Sequence, residues 1–469
     1  FSTYQSSHQI AEAQTHSRVP GFDLVIADEA HRCAGKVSSA YGTVLDEEAI
    51  RAKKRLFMTA TPRTYTTRVQ KKAREAEIEV ASMDDEAVFG PVVHQLNFGE
   101  AIEKGLLTDY QVVVVGVDNS RYKQMVDKRH IVKADKGLQT DAETLAKHVA
   151  LAKAIRDYGL RRTITFHSRI NTASEFANML PKVVSWMPPR HQPKVELVTD
   201  HVSGEMTTGE RNRRLNRLRN VEPGQSAVLT NAQCLSEGID VPTLDGVAFI
   251  DPRRSQVDII QAVGRAIRLS EDKTIGTIVI PVFLSDTDDP DTALSQSEFE
   301  PVWSIVRALR SHDDTLGEAL DGIRFEMGRK GGGGKPPKPI VFDIPKGISR
   351  KFAGAFATRL VEATTSSWNF NLGLLQNFVD REGHAQVPAT HAEPFEGGEF
   401  RLGGWVSENR PIFSNGRLSQ QRIKALEAVP GWVWDGNEAI YQEGLAALQA
   451  FVDREGHARV SQAHVEPFR

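Results

Sequence analysis

The chain has 469 residues, which leaves room for about two to four domains, and its 40% hydrophobic and 25% charged residues are ordinary for a globular protein. The net charge of −3 excludes a globally basic nucleic-acid binder, so any such face has to be local. No apolar run is long enough to span a membrane, and we expect no membrane contact. The two cysteines are far apart, which excludes a disulfide framework and favours a cytoplasmic protein.

The first predicted strand, Leu24–Ala27, is wholly apolar, which indicates burial on both faces of a parallel sheet. Asp28, Glu29 and then His31 come where that strand ends. Ligands of open α/β sheets bind beyond the carboxyl ends of strands, and neighbouring carboxylates favour a Mg²⁺ carried by a nucleotide phosphate. The other acid is then free to orient or deprotonate a water. A solvated charged loop is the alternative interpretation.

Arg55–Met58 predicts a second buried strand, and Thr59 and Thr61 follow it. Capping of the next helix would also explain these two threonines. A new sheet begins at Tyr110–Gly116, so we place a lobe boundary near residues 106–109. Because strands alternate with helices and polar clusters recur at strand ends, the predicted fold class is α/β, with two doubly wound parallel-sheet lobes.

Polar residues also follow the predicted strands of the second lobe. Arg169 comes after one strand and Thr230 after the next. The stretch 236–242 is a predicted turn, in which Gly238 can take a positive φ and Asp240 can cap or bind.

Arg265 and Arg268 are three residues apart, so on a helix they would emerge from one face. Guanidinium groups delivered from a facing lobe stabilise the charge that develops on a transferring phosphoryl group. Two surface arginines on a helix are the alternative.

The C-terminal part is predicted to be helical and repetitive. Gly331–Pro339 is typical of a linker, flexible at first and then stiff. Beyond it, Phe378–Ala385 returns as Phe451–Ala458, which indicates stacked small modules. The recurring histidines lack the ligand spacing of a zinc site, and acidic residues slightly outnumber basic ones there.

Taken in order, these motifs resemble those of superfamily 2 DEAD/DEAH-box helicases, and the C-terminal modules resemble the helicase-associated repeats of some bacterial proteins. The motifs that carry the resemblance are Asp28–His31, Thr59–Thr61, Phe166–Ser168, Thr230–Pro242 and Gln261–Arg268. The resemblance implies two RecA-like lobes that hold ATP and Mg²⁺ between them, followed by small all-α repeats. It also implies an ATP-dependent helicase or translocase, with DNA favoured over RNA as its partner.

The resemblance assigns roles to individual residues. Asp28 and Glu29 would form the metal site, and Glu29 would also activate the attacking water. His31 would link the nucleotide site to the second lobe, and Thr59 and Thr61 would couple hydrolysis to movement. The remaining roles are nucleotide contact for Gly238, Asp240 and Gln261, arginine fingers for Arg265 and Arg268, and nucleic-acid contact for Thr3, Arg169 and Thr230. For Thr3 and Arg169, loop capping is an equal alternative.

The predicted domains are lobe 1 (1–108), lobe 2 (109–285), a helical extension (286–328), a linker (329–345), a helical segment with the first repeat (346–435) and an incomplete second repeat (436–469). No Gly-x-x-x-x-Gly-Lys-Ser/Thr phosphate loop occurs in the sequence. The family pattern places that loop before Phe1, so we expect a fragment with both ends missing that turns over little ATP by itself.

Two other functions stay open at this point. One is a duplex-DNA motor of a restriction or mobile-element system. The other is a non-catalytic clamp that binds nucleic acid or, through its repeats, a protein partner.

Overall fold

The computed structural model describes the chain except residues 17, 38, 67–68, 71–72, 74–75, 77–78, 119–141, 233–240, 252–254, 285–293, 295–298, 345–349, 396 and 466–469. Gly238 and Asp240 therefore lie outside the described residues. Of the helices that are described, none is long and apolar enough to cross a membrane.

The helices are α1 (Ser7–Gln14), α2 (Glu86–Phe89), α3 (Phe98–Glu103), α4 (Ala142–Tyr158), α5 (Ile170–Trp186), α6 (Thr208–Arg219), α7 (Gln256–Ala266), α8 (Glu300–Arg310), α9 (Asp314–Lys330), α10 (Arg350–Thr364), α11 (Ser367–Glu382), α12 (Leu402–Ser414), α13 (Gln420–Glu427) and α14 (Gly436–Glu455). The strands are β1 (Val25–Ala27), β2 (Gly35–Lys36), β3 (Arg55–Phe57), β4 (Val80–Ala81), β5 (Asp109–Asp118), β6 (Arg162–His167), β7 (Glu196–Ser203), β8 (Gln225–Ala232), β9 (Gly246–Phe249), β10 (Ile275–Leu284), β11 (Ile340–Asp343), β12 (Glu393–Phe395) and β13 (Gly398–Phe400).

A seven-stranded parallel sheet forms the second lobe, in the order β11-β5-β10-β9-β6-β8-β7. Alternate residues along each strand point to opposite faces. Val112 and Val114 pack with Ile259 of α7 on one face, whereas Val113 packs with Leu151 of α4 on the other. Since helices cover both faces, the predicted doubly wound α/β lobe is confirmed.

The first lobe contains a smaller parallel pair, β1 beside β3, with Val25 opposite Arg55. Its core is Ala27, Ala30, Cys33 and Val44. The prediction that the first strand is buried on both faces is wrong for the described chain, because Leu24 and Ile26 are 50% and 56% exposed. Alternation explains the difference, since only the face that carries Ala27 is covered.

The connection between the lobes differs from the predicted boundary near residues 106–109. Residues 90–96 form no helix or strand, and residues 91–96 are exposed. The following segment, residues 97–108, which we call the strap, packs on the second-lobe side. Phe98 N–H donates to His312 O (2.8 Å), and Thr108 N–H donates to Ile267 O (2.9 Å). The chain therefore leaves the first lobe at residues 90–96.

The predicted linker is packed against the rest of the protein. Residues 340–343 form β11, the edge strand beside β5, and the ammonium of Lys153 pairs with the carboxylate of Asp343. A Cβ at Gly333 would lie 2.1 Å from Thr358 Oγ1, so this glycine lies directly against α10. The structure thus differs from the linker prediction for Gly331–Pro339. The glycines that are typical of a flexible linker also allow the chain to pack closely against a helix.

The C-terminal module, residues 367–435, is joined to the second lobe through a close crossing of α9 and α11. A Cβ at Gly328 would lie 2.1 Å from Phe370 O, and a Cβ at Gly373 would lie 2.1 Å from Phe325 O. The glycines therefore allow the two backbones to approach each other.

The module is mostly helical, with a short antiparallel hairpin of β12 and β13 that was not predicted. The hairpin holds Glu393, which is fully buried and accepts hydrogen bonds from Arg381 (2.6 and 3.0 Å) and Asn377 (3.1 Å), with His391 Nε2 at 2.7 Å. Burial by itself raises the pKa of Glu393, but the bonds from Arg381 and His391 hold that pKa below its usual value. These repeated residues thus stabilise the module.

Candidate functional site

The acidic motif forms a tight turn at the carboxyl end of β1. Glu29 has φ 50° and ψ 44°, the left-handed region that few non-glycine residues adopt. Backbone hydrogen bonds fix the turn, because Ala30 N–H donates to Met58 O (2.8 Å) and the Tyr4 hydroxyl donates to Asp28 O. Asp28 and Glu29 are therefore presented at the strand end, as the motif predicts. Tyr4 was missed because its partner is a backbone oxygen, which leaves no pattern in the sequence.

The structure brings both first-lobe motifs together around one imidazole. His31 Nδ1 lies 3.0 Å from Thr59 Oγ1, 3.3 Å from Thr61 Oγ1 and 3.3 Å from Glu29 Oε2. Thr61 and His31 are buried, whereas the side chain of Glu29 is 40% exposed. Its Oε2 is buried yet accepts no hydrogen bond from the described residues.

Burial lowers the pKa of His31, although the Glu29 carboxylate acts in the opposite direction. The imidazole is therefore neutral at neutral pH, and a threonine hydroxyl can donate to it or accept from it. These described contacts of His31 lie within the first lobe. The direct link from His31 to the second lobe, which the resemblance implies, is not among them and stays a prediction.

The carboxylates fit the Mg²⁺ that the family implies. Asp28 is exposed, and its Oδ1 accepts a hydrogen bond from Glu29 N–H (2.9 Å). Mg²⁺ is usually bound by one or two carboxylates together with substrate phosphates and water. The described residues contain no cluster of three or more His, Cys, Asp or Glu that would hold a metal by itself.

The two arginines do not share a helical face, so that prediction is wrong. Helix α7 ends at Ala266, and Arg268 lies beyond it, paired with Leu107 in an antiparallel bridge. Arg265 is 8% exposed, whereas Arg268 is exposed. Arg268 is therefore the more exposed of the two arginines. That it faces Glu29 across a cleft stays a prediction.

Thr230 cannot hold a nucleic-acid phosphate as predicted, because it is fully buried and its hydroxyl donates to Ala173 O (2.7 Å). Strand β8 continues through residue 232, which places Thr230 inside the sheet. Arg169 is exposed at the start of α5, and Thr3 is exposed before a short 3₁₀ turn that begins at Tyr4. Gln261 lies half-buried on α7.

A further polar contact connects the carboxyl ends of β6 and β9. Asp251 Oδ2 accepts from Ser168 N–H (2.9 Å) and from the Ser168 hydroxyl (3.0 Å), and Asp251 Oδ1 lies 3.6 Å from Lys147 Nζ. The position of Asp251 directly after a strand was the signal that could have indicated it. This contact fixes the loop that leads to the exposed Arg169.

Three protein families match separate parts of the chain. Residues 1–64 match the res subunit of Type III restriction enzymes, residues 146–270 match the helicase conserved C-terminal domain, and residues 365–435 match the helicase associated domain. The first match covers the acidic turn, and the second covers Arg265 and Arg268.

Individual proteins are similar over much of the chain. A protein of African swine fever virus (isolate Pig/Kenya/KEN-50/1950) that is named as a helicase is 26% identical over 324 residues, which are 68% of this chain and 32% of the relative. The Type I restriction enzyme EcoAI endonuclease subunit of Escherichia coli is 24% identical over 64% of this chain and 38% of its own length. The chain thus spans about a third of the length of these relatives.

The solved structure of the ATP-dependent Type ISP restriction-modification enzyme LlaBIII bound to DNA matches 97% of this chain and 32% of its own, with a TM-score of 0.65 and 26% identity. The parallel sheets, the order of the motifs and these matches define a two-lobed helicase fold. The matches support a superfamily 2 helicase with a C-terminal helicase associated domain.

Proposed function

We propose that this chain is the motor part of an ATP-dependent translocase that moves on DNA. The observation that carries the proposal is the turn at Glu29, whose buried Oε2 accepts no described hydrogen bond while Asp28 lies exposed beside it. A carboxylate with an unused acceptor can take the proton of an attacking water, and its neighbour can ligate Mg²⁺.

In this mechanism Mg²⁺, when bound, neutralises phosphate charge. Glu29 orients and deprotonates the water, and its Oε2, which accepts no described hydrogen bond, lies 3.3 Å from the neutral imidazole of His31. Neutral His31 lies 3.0 Å from Thr59 Oγ1, so a change at the acidic turn reaches the segment after β3 through one side chain. This link supports the predicted coupling role of Thr59 and Thr61.

On the second lobe, Arg268 is the stronger candidate for an arginine finger, because it is exposed and Arg265 is buried. A guanidinium supplied to the transferring phosphoryl group typically raises turnover by about 10³–10⁵.

The 469 residues contain no phosphate-binding loop of the Gly-x-x-x-x-Gly-Lys-Ser/Thr type. That loop supplies backbone N–H groups and a lysine to the β- and γ-phosphates. We therefore expect the 469-residue chain by itself to bind ATP weakly and to hydrolyse it slowly.

A duplex-DNA motor of a restriction system is the second candidate. It is favoured by the similarity to LlaBIII over 97% of this chain and to the EcoAI subunit over 64% of it. In such a motor, double-stranded DNA would stimulate hydrolysis more strongly than single-stranded DNA.

The test measures steady-state ATP hydrolysis by the full-length native protein with single-stranded DNA, duplex DNA or RNA. We expect stimulation by DNA and a loss of turnover of about 10²–10⁴ in Glu29→Gln, because the general base is removed while size and shape are kept. The matched control is Glu12→Gln, an exposed position on α1 of the same lobe.

Equal turnover in the wild type and Glu29→Gln would refute the role of Glu29. An absence of hydrolysis under every condition, together with intact DNA binding, would favour the non-catalytic clamp. Stimulation by RNA alone would refute the DNA assignment.

A further inference from the structure

The backbone immediately before Arg268 is held by two groups from elsewhere in the chain. We call residues 266–268 the arginine turn. Strand β10 lies close beneath it, since a Cβ at Gly276 would lie 2.5 Å from Ala266 O. Two carbonyl groups of this turn, which the end of the helix leaves without intrahelical partners, accept hydrogen bonds from outside α7.

The first of these groups is the ammonium of Lys273. Its Nζ donates to Ala266 O (2.8 Å), Leu244 O (2.8 Å) and Pro242 O (3.3 Å), and the residue is only 8% exposed. An ammonium has three donors, so these three carbonyls use its full capacity. Lys273 thus joins the arginine turn to the segment 242–244, directly after the stretch that contains Gly238 and Asp240.

The second group is Thr108, the last residue of the strap. Its N–H (2.9 Å) and its hydroxyl (3.1 Å) both donate to Ile267 O, and Thr108 is 6% exposed. Leu107 extends the contact through its bridge to Arg268. The strap begins just after the exposed residues 91–96, so the connection between the lobes ends on the arginine turn itself.

We infer that Thr108 and Lys273 are positioning residues, which fix the orientation of the backbone from which the Arg268 side chain extends. Because the carbonyl groups of Ala266 and Ile267 are both hydrogen-bonded from outside the helix, the backbone before Arg268 has little freedom to rotate. A displacement of the strap therefore moves the base of the Arg268 side chain. This inference rests on the proposed function, in which Arg268 acts on the transferring phosphoryl group.

The most selective test is Thr108→Val, which removes the hydroxyl, keeps the N–H bond and nearly conserves volume. We expect kcat of the full-length protein to fall about fivefold with KM for ATP unchanged, because only an interaction made in the transition state is weakened. Thr108→Ser, which keeps the hydroxyl, is expected to restore kcat. Arg268→Ala gives the upper limit of the effect.

The structural control is Ser226→Ala. Ser226 is fully buried on β8, three strands from β10 in the same sheet, and its hydroxyl donates to Leu160 O (2.8 Å). This variant loses a comparable bond and is expected to lower Tm without changing kcat. Lys273→Met should give the same split of kcat and KM as Thr108→Val, with a larger loss of Tm because the buried carbonyls of Leu244 and Ala266 lose this donor.

A second measurement does not depend on turnover. Hydrogen exchange of peptides that contain residues 266–268 is expected to be faster in Thr108→Val than in the wild type or Ser226→Ala. If Thr108→Val resembles Ser226→Ala in kcat and exchange, or if Thr108→Ser does not restore kcat, this inference is wrong. If the wild type and Glu29→Gln do not differ in hydrolysis, the proposed function itself fails.

Discussion

Glu29 alone among the described non-glycine residues has a positive φ. A left-handed conformation costs a non-glycine residue roughly 1–2 kcal/mol, so it persists only where the surroundings impose it. Here the surroundings are β3, through the bond from Ala30 N–H to Met58 O, and the Tyr4 hydroxyl on Asp28 O. The strain thus coincides with the residue to which the proposal assigns the chemistry.

His148 allows a prediction about the pH dependence of stability. It is 1% exposed and stacks on Phe176 with the ring centroids 3.8 Å apart. Burial lowers its pKa to about 4 in the folded chain. In the unfolded chain the pKa is about 6.5, so between these two pH values the unfolded chain binds a proton that the folded chain does not. Stability therefore falls as the pH falls through this window, by about 2 kcal/mol between pH 7 and pH 5.

Urea unfolding of the wild type and His148→Phe at both pH values checks this prediction. The variant should lose about 2 kcal/mol less than the wild type on acidification, because the aromatic contact with Phe176 is kept and the titration is removed. His8→Gln, at an exposed position on α1, should behave like the wild type. An equal loss in all three proteins would show that His148 does not contribute.

The residues of the acidic turn could be predicted because their chemistry is local. Asp28, Glu29 and Thr59 directly follow apolar strands, and parallel strands bring their carboxyl ends to one edge. Thr108 and Lys273 could not be predicted, since each binds backbone carbonyls that any residue would offer. Thr230 was misassigned because the sequence does not reveal how far β8 continues.

At the scale of elements, the strands of the second lobe were predictable from apolar runs with polar ends. The edge strand β11 was not, because the glycines and prolines around it are typical of a linker and its pairing with β5 depends on distant residues. The same limit applies to the crossing of α9 and α11. A glycine in a helix is compatible with local flexibility or with close packing against another helix. The sequence does not distinguish the two, because the answer depends on which helix packs against it.

Gly373→Ala tests that crossing. A Cβ at Gly373 would lie 2.1 Å from Phe325 O and 2.9 Å from Arg329 N, so backbone atoms would have to move. We expect the free energy of unfolding to fall by at least about 2 kcal/mol, since overpacking of a rigid contact usually costs this much. Chemical denaturation followed by circular dichroism measures the change.

The matched control is Gly322→Ala on α9. This glycine is exposed, and a Cβ there would meet nothing within 4 Å. Alanine is a better helix former than glycine by about 1 kcal/mol, so this variant should be neutral or stabilised. Equal destabilisation of both variants would contradict the role assigned to the crossing, because a Cβ at Gly322 makes no close contact.

On the scale of the whole molecule, the second lobe, the helices that follow it and the C-terminal module share continuous packing. One core contains Val112 of the sheet, Val306 of α8, Leu320 of α9 and Phe356 of α10. The module has its own core, but Phe325 and Phe370 lie at the α9–α11 crossing and pack on it. The first lobe, by contrast, is followed by the exposed residues 91–96. The packing therefore favours two bodies, with the C-terminal module belonging to the second.

This division predicts that a polypeptide of residues 97–435 unfolds in a single transition. Four of the six tryptophans of this polypeptide lie in the module, namely Trp368, Trp405, Trp432 and Trp434, and the other two, Trp186 and Trp303, lie in the second-lobe part. Tryptophan fluorescence is therefore weighted towards the module, whereas circular dichroism reports on the whole polypeptide. Coincident urea midpoints from the two probes are the sign of one cooperative unit. In the Gly373→Ala variant the two urea midpoints should differ, with the fluorescence midpoint at the lower urea concentration, because the crossing that joins the module to the lobe is weakened. If the midpoints already differ in the unmodified polypeptide, the module is an independent domain, and residues 314–330 serve only to connect it.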